Sequence, residues 1–218
     1  MSSVNPSFPH LQFEPAGSLQ SEIITSEERA LAVLIKAHSE FTDVSDELKA
    51  KPDFMLKAVK QYGEALAHAS DEIKNNREIV LAAVEQNGMA LFFASDELKN
   101  DKAIVLAAVK QNGWAFVYAS DYLKNDKEIA LIAASQKNGD LLRYVSNNLK
   151  NDKDVVWAAI KQNGLTLAYA SERLKNDKEI ALAAVKQNAK AFTYLSHSLK
   201  QDKDIISAYH QSLVSIKV

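Results

Sequence analysis

Every 25 residues this chain repeats itself. A serine that follows a small or apolar residue recurs at Ser45, Ser70, Ser95, Ser120, Ser146, Ser171 and Ser196, a step of 25 broken once by 26. Leu48, Ile73, Leu98, Leu123, Leu149, Leu174 and Leu199 follow three residues later. Five of the six glycines keep the step, at Gly63, Gly88, Gly113, Gly139 and Gly164, and Ala189 replaces the glycine in the last full unit. A period of this length means a stack of supersecondary units, each too small to bury a core alone and each closed by its neighbours.

One unit reads from Asp101 to Asn125. Asp101 offers a carboxylate to the free N–H groups of a first helical turn. Pro52 lies one position further on in an earlier unit, where a missing N–H costs nothing. Ile104 to Val109 is apolar nearly all round, and its paired alanines let neighbouring helices approach. Asn112-Gly113 reads as a left-handed helix stop. These signals predict a helix A of about 11 residues, roughly three turns. A shorter helix B follows from Trp114 to Ala119. Ser120 then caps a brief turn with acidic residues at its start, as in Ser70-Asp71-Glu72, which suits the helix dipole. Short apolar runs can also be buried strands, but the alanine pairs, the cap and the stop decide for helix.

The fold expected is all-α: a right-handed-type α-solenoid of about seven two-helix units with a C-terminal capping helix, spanning residues 22–218. A degenerate first unit runs from about Glu28 to Ser45, with His38 at the glycine position. The last helix, Asp202 to about Val214, carries Ser207 and His210 where other units are apolar, as a cap should. The 26-residue unit holds its extra residue between Ile129 and Asn138, where a π-bulge is expected to absorb it. Residues 1–21 carry Pro6, Pro9 and Pro15 and no helical period, so they read as an extended or disordered arm. Its Phe8, Leu11 and Phe13 are suited to packing on the first unit or on a partner.

Several function classes lose their support at this level. The chain has no cysteine. That removes disulfides, thiolate metal sites and cysteine nucleophiles, and fits a reducing, cytoplasmic compartment. The net charge of -2 gives no case for nucleic acid or an anionic membrane. No stretch approaches the roughly 18 apolar residues of a membrane helix, and the N-terminus lacks the basic start and apolar run of a secretory signal. His10, His38, His68, His197 and His210 form no close metal-ligand spacing, so no metal or cofactor is expected. The repeated serine has no histidine at matching spacing and reads as a cap, so no catalytic residues are assigned. Lys74, Lys99, Lys124, Lys150, Lys175 and Lys200 form a ladder. Base-reading helical repeats use such ladders, but Asp101, Asp126, Asp152, Asp177 and Asp202 lie two residues on and offset the field.

Helix B carries the informative variation. Counting from the repeat glycine, positions two, three, five and six are regular, as in Ala115, Phe116, Tyr118 and Ala119, and are expected to form the core face. Positions one and four vary freely and are expected to face away from it. Met89, Phe92, Trp114 and Val117 then make an outward apolar patch that continues through Asp140, Arg143 and Leu165. Soluble monomers seldom tolerate such a patch without a partner. The patch reads as a protein-binding ridge, as a homodimer contact of a structural scaffold or adaptor, or as a face packed internally if the superhelix curls.

The unit LKNDKEIALAAVKQNAKAFTYLS, Leu174 to Ser196, resembles a bacterial helical-repeat family catalogued only as a domain of unknown function. Units of that family read like LKNDKEIVLAAVKQNGxALxYAS, and the likeness covers roughly residues 46–206. Family members include proteins delivered by Dot/Icm-type secretion from intracellular bacterial pathogens. In size and build the chain is also similar to small secreted helical effectors that inhibit ubiquitin-modifying effectors, enzymes acting by deamidation or transglutamination. The resemblance therefore implies a virulence-associated inhibitor, delivered into a host cytosol without a cleavable signal. It carries over no catalytic residues.

Overall fold

The computed structural model describes residues 23–36, 38–136 and 139–215. The expected arm lies outside the described residues, with Phe8, Leu11 and Phe13. Each unit contributes an A helix, a B helix and a short closing turn. The A helices are α-helical: Glu27–Lys36, Pro52–Gln61, Arg77–Gln86, Lys102–Gln111, Lys127–Ser135, Lys153–Gln162, Lys178–Gln187 and the capping helix Lys203–Ser215. The B helices are tighter, with the 3-10 geometry, as in Gly63–His68, Gly88–Phe93, Gly113–Tyr118 and Gly164–Tyr169. The closing turn is a single turn of α-helix, as at Asp71–Lys74, or of 3-10 helix, as at Leu123–Asn125. Successive A helices stack on one another, and so do successive B helices, with one continuous core between the two layers. The chain is an all-α solenoid. Among the described residues the only bridge of β type is isolated, between Ile24 and Val44.

The capping residues behave as their chemistry dictates. Asp101 Oδ1 accepts from Ala103 N at 2.9 Å and Ile104 N at 3.2 Å. Asp126, Asp152 and Asp177 cap their helices in the same way. Ser120 Oγ accepts from Leu123 N at 3.2 Å and donates to Asn100 Oδ1 of the preceding unit at 2.6 Å. The serine is therefore both a cap and an inter-unit tie. Its own N–H donates to Lys99 O at 3.0 Å, and in the first unit Ser45 N donates to Ile24 O at 2.8 Å. Ile24 thus occupies the register of a preceding unit's lysine.

The glycines serve a different purpose from the one their Asn-Gly context suggests. No described residue has a positive φ. Asn112 is extended, with φ -148°, and its Oδ1 caps helix B by accepting from Trp114 N at 3.0 Å. The expected left-handed stop is absent because Asn-Gly starts a helix here as well as ending one. What requires glycine is the next unit. A Cβ on Gly63 would sit 2.5 Å from the Ala83 carbonyl oxygen, and Gly88 and Gly164 meet Ala108 and Ala184 in the same way. The close approach serves a clasp. Gln111 Oε1 accepts from Gly88 N at 2.6 Å, and its Nε2 donates to Gln86 O at 3.4 Å. Gln86 and Gln187 repeat this on Gly63 and Gly164. In the capping helix Ser212 stands at the glutamine position and donates to Val185 O at 3.0 Å.

The 26-residue unit shows no π-bulge in its A helix. Lys127–Ser135 is α-helical and has nine residues where its internal counterparts have ten. Gln136 still clasps Gly113, at 2.6 Å, so the repeat register holds as far as Gln136. The extra residue falls in the link to Gly139. A link absorbs an insertion without breaking the helical hydrogen-bond ladder. The joint is looser for it: a Cβ on Gly113 would meet Ala133 O at 3.3 Å.

An ion-pair ladder runs along the starts of the A helices. Lys102 Nζ lies 2.8 Å from Asp126 and 2.9 Å from Glu128. Arg77 with Asp101, Lys127 with Asp152 and Asp154, Lys153 with Asp177 and Glu179, and Lys178 with Asp202 and Asp204 follow the same rule. The repeat aspartates thus serve the first helical residue of the preceding unit. The lysine edge read from the sequence has other partners, with Lys99 near Asp96, Lys124 near Asp121 and Lys175 near Glu172.

Candidate functional site

In a 3-10 helix residues three apart eclipse one another. Positions one and four of each B helix therefore fall on one row. The residues buried between the layers are at positions two, three and six, such as Ala90, Leu91 and Ala94, or Ala115, Phe116 and Ala119. None of the seven ridge residues proposed from sequence is buried. Phe92, Asp140 and Arg143 are exposed, and Met89, Trp114, Val117 and Leu165 are half-buried. Trp114 and Val117 rest on the core with part of their surface.

The regular aromatic at position five, expected on the core face, lies at the edge of the core: Phe93 and Tyr118 pack against it and the later three are more exposed. Tyr144, Tyr169 and Tyr194 are 37%, 38% and 43% exposed, and Phe93 and Tyr118 are half-buried. Two of the rings lean on the variable row of the unit before them. Phe92 meets Tyr118 edge-on at 5.0 Å, and Trp114 meets Tyr144 at 6.3 Å. Phe92 also meets Phe93 at 5.0 Å, which makes a three-ring cluster open to solvent on the Phe92 side. One cation borders it, with Lys99 Nζ 6.0 Å from the Phe92 ring; the Arg143 guanidinium lies 5.8 Å from the ring of Tyr144, in the Trp114 pair. In the second unit His68 takes the aromatic position, edge-on to Phe41 at 5.7 Å. Burial, and then the neighbouring Lys49 and Lys74, push its pKa down, so it stays neutral near pH 7.

Not every ridge residue is free to act outward. Asp140 Oδ1 accepts from Asn163 Nδ2 at 2.8 Å, and Glu64, in the same position of the second unit, accepts from Asn87 at 2.9 Å. These acids tie one unit to the next. The outward side of the A helices was not legible as a surface, because the run Ile104 to Val109 is apolar throughout. Ile104, Val105, Ala108 and Val109 are buried, whereas Leu106 and Ala107 are half-exposed. A column Leu56, Leu81, Leu106, Leu131, Trp157, Leu182 therefore runs along the outside of the A layer. The tryptophan that interrupts it is the one signal the sequence offered.

Among the described residues no group of three or more His, Cys, Asp or Glu could hold a metal ion. No helix among them is long and apolar enough to cross a membrane.

Stacked two-layer units with a variable outer row define the class: a helical-repeat protein. A family described as a domain of unknown function (DUF4116) matches at residues 28–74, 51–99, 76–124, 101–150, 126–175, 152–200 and 177–208. The chain belongs to that family. Successive matches advance by one unit and overlap by about half, so the family's own unit is a pair of neighbours, as expected of repeats that close each other's core. No curated protein and no solved structure matches the chain.

Proposed function

We propose that this chain is a non-catalytic protein-binding solenoid that docks a partner on its B-layer ridge. The observation that carries this is Phe92, 53% exposed at the head of a three-ring cluster. An exposed aromatic backed by other rings and bordered by a cation has the make-up of an interface anchor. Of the lysine ladder that would serve nucleic acid, Lys99, Lys124 and Lys175 lie near acids of their own turns. The partner we propose is a bacterial effector that modifies ubiquitin as a deamidase or transglutaminase, blocked sterically by the ridge after delivery into the same host cytosol. The resemblance to small inhibitory effectors supports this choice.

The test is titration calorimetry of the chain against such an enzyme, paired with an assay of ubiquitin modification. Phe92→Ala should weaken binding about tenfold or more, as central anchors do, and relieve inhibition in parallel. Full inhibition by Phe92→Ala would overturn the docking surface. Absence of any complex would overturn the partner. Light scattering across a concentration series tests the scaffold alternative: a dimer lost in Phe92→Ala would assign the ridge to self-association.

A further inference from the structure

Asparagine followed by glycine is a chemically weak step. Asparagine is thermolabile, and glycine has no Cβ to hinder its backbone nitrogen. The repeat carries this step at Asn87-Gly88, Asn112-Gly113 and Asn163-Gly164. A fourth, Asn138-Gly139, includes a residue outside the described ones.

In each of the three, both reacting groups are engaged. The glycine N–H donates to the glutamine of the next unit: Gly88 to Gln111 and Gly113 to Gln136 at 2.6 Å, and Gly164 to Gln187 at 2.5 Å. The asparagine Oδ1 accepts from the residue after the glycine, at 3.0 Å in all three. A third contact separates them. Asn87 Nδ2 donates to Glu64 at 2.9 Å and Asn163 Nδ2 to Asp140 at 2.8 Å. Met89 holds the equivalent position before Asn112, and no described residue accepts from the Asn112 amide nitrogen. The joint at Gly113 is also the looser one, with 3.3 Å from a Cβ to Ala133 O. The last unit departs from the rule twice. Ser212 stands at the glutamine position and gives its hydroxyl to Val185 O, and Asn188 is followed by Ala189. Among the described units glycine follows asparagine only where a glutamine covers it.

We propose that Asn87, Asn112 and Asn163 are latent sites of spontaneous deamidation, each shut by the glutamine of the next unit, with Asn112 the least protected. When a joint opens locally, the glycine nitrogen gives its proton to hydroxide and attacks the asparagine Cγ. An N–Cγ bond forms and the Cγ–Nδ2 bond breaks. The amide nitrogen takes a proton from water and leaves as ammonia, closing a succinimide ring. Water then adds to either ring carbonyl and leaves aspartate or isoaspartate. Water is the only co-reactant, and nothing is oxidised or reduced. Isoaspartate lengthens the backbone between helix A and helix B by one atom, so the product marks a joint that has opened. At Asn112 either product puts a carboxylate two residues before Trp114. None of this rests on the ridge as a docking surface.

The experiment ages the full chain at mildly alkaline pH, beside the same chain unfolded in guanidinium chloride, and follows each asparagine by peptide mass mapping. Glutamine precedes all three sites, so they should react alike when unfolded. In the folded chain each should slow by about fivefold or more, the factor that one hydrogen bond supplies, and Asn112 should lead. Gln111→Met should speed Asn87 and leave Asn163 unchanged, and Gln187→Met should do the reverse. Ala189→Gly removes only a methyl group, so it should fold. Asn188, then followed by glycine without a covering glutamine, should outpace Asn87 and Asn163 by about fivefold or more. Equal rates in the folded and unfolded chain overturn the guard, as does an Asn188 in Ala189→Gly that lasts as long as Asn87. A uniform rise at all sites in both glutamine variants overturns the assignment of one glutamine to one asparagine. An Asn112 that reacts no faster than Asn87 and Asn163 overturns the ranking.

Discussion

In the A layer most joints are made by the same parts: a glutamine clasp, an aspartate or asparagine cap and a cation bridging to the next unit. In the B layer the joint is made by whatever side chains stand at positions one, four and five, rings at some steps and an acid paired with an asparagine at others, and these change at almost every step. The first layer fixes the spacing and register of the units with directional bonds. The second is held mainly by the core beneath it, so its outer row can vary without disturbing the stack. A surface that varies on a frame that does not is what a docking scaffold requires.

The contrast breaks first at the core. Phe116→Ala, at a fully buried B-layer position, should cost about 3–5 kcal/mol, read as a fall in the urea midpoint at constant m. Phe92→Ala, one unit earlier on the exposed row, should stay within about 0.5 kcal/mol. Similar losses for the two would mean that the outer row is core.

Next come the joints. Gly88→Ala forces a Cβ into the Ala108 carbonyl and should cost about 1–3 kcal/mol. Gly113→Ala meets Ala133 O at 3.3 Å and should cost clearly less, because the joint at the insertion is looser. If the glycines served positive φ, the two would be equally harmful.

A smaller effect tests the caps. Asp126→Ala removes a helix cap and should cost about 1 kcal/mol, measured by thermal melting. The same groups set a pH dependence. Burial pushes the Asp126 pKa up, but hydrogen bonds from Lys102 and the Ile129 N–H outweigh it and leave the carboxyl below its usual value. Asp152 and Asp177 follow the same pattern. A depressed carboxyl contributes stability above its unfolded pKa, about 3.9, and loses it as pH falls through the lower folded value. The partner lysines shift upward, so their contribution holds below the unfolded lysine value, about 10.4, and is lost as pH rises beyond it. The melting temperature should be flat from about pH 5 to 9 and fall on both sides. A steady decline across that plateau would show that other groups dominate.

The smallest effect is expected at the exposed pairs. Lys102→Gln should leave the melting temperature nearly unchanged, since exposed ion pairs contribute little singly. A larger loss would make the ladder, and not the clasp, the main fastener of the A layer.

The sequence by itself determined the unit, its length, the helix pair and the caps. These depend on contacts within about four residues, and a period of 25 residues displays them repeatedly. The terminal helix could likewise be recognised as a cap, from Ser207 and His210 at positions that are apolar elsewhere. Tertiary structure alone decided the role of the glycines, because the carbonyl that excludes a Cβ at Gly88 belongs to Ala108, in the next unit. It also decided where the extra residue went, because a helix and a link can each absorb one residue and only the clasp at Gln136 tells them apart. It moved the aromatic column from the core to its edge, where Phe93 and Tyr118 still pack against the core and Tyr144, Tyr169 and Tyr194 are exposed. Only the fold shows that Tyr118 and Tyr144 meet rings of the unit before them.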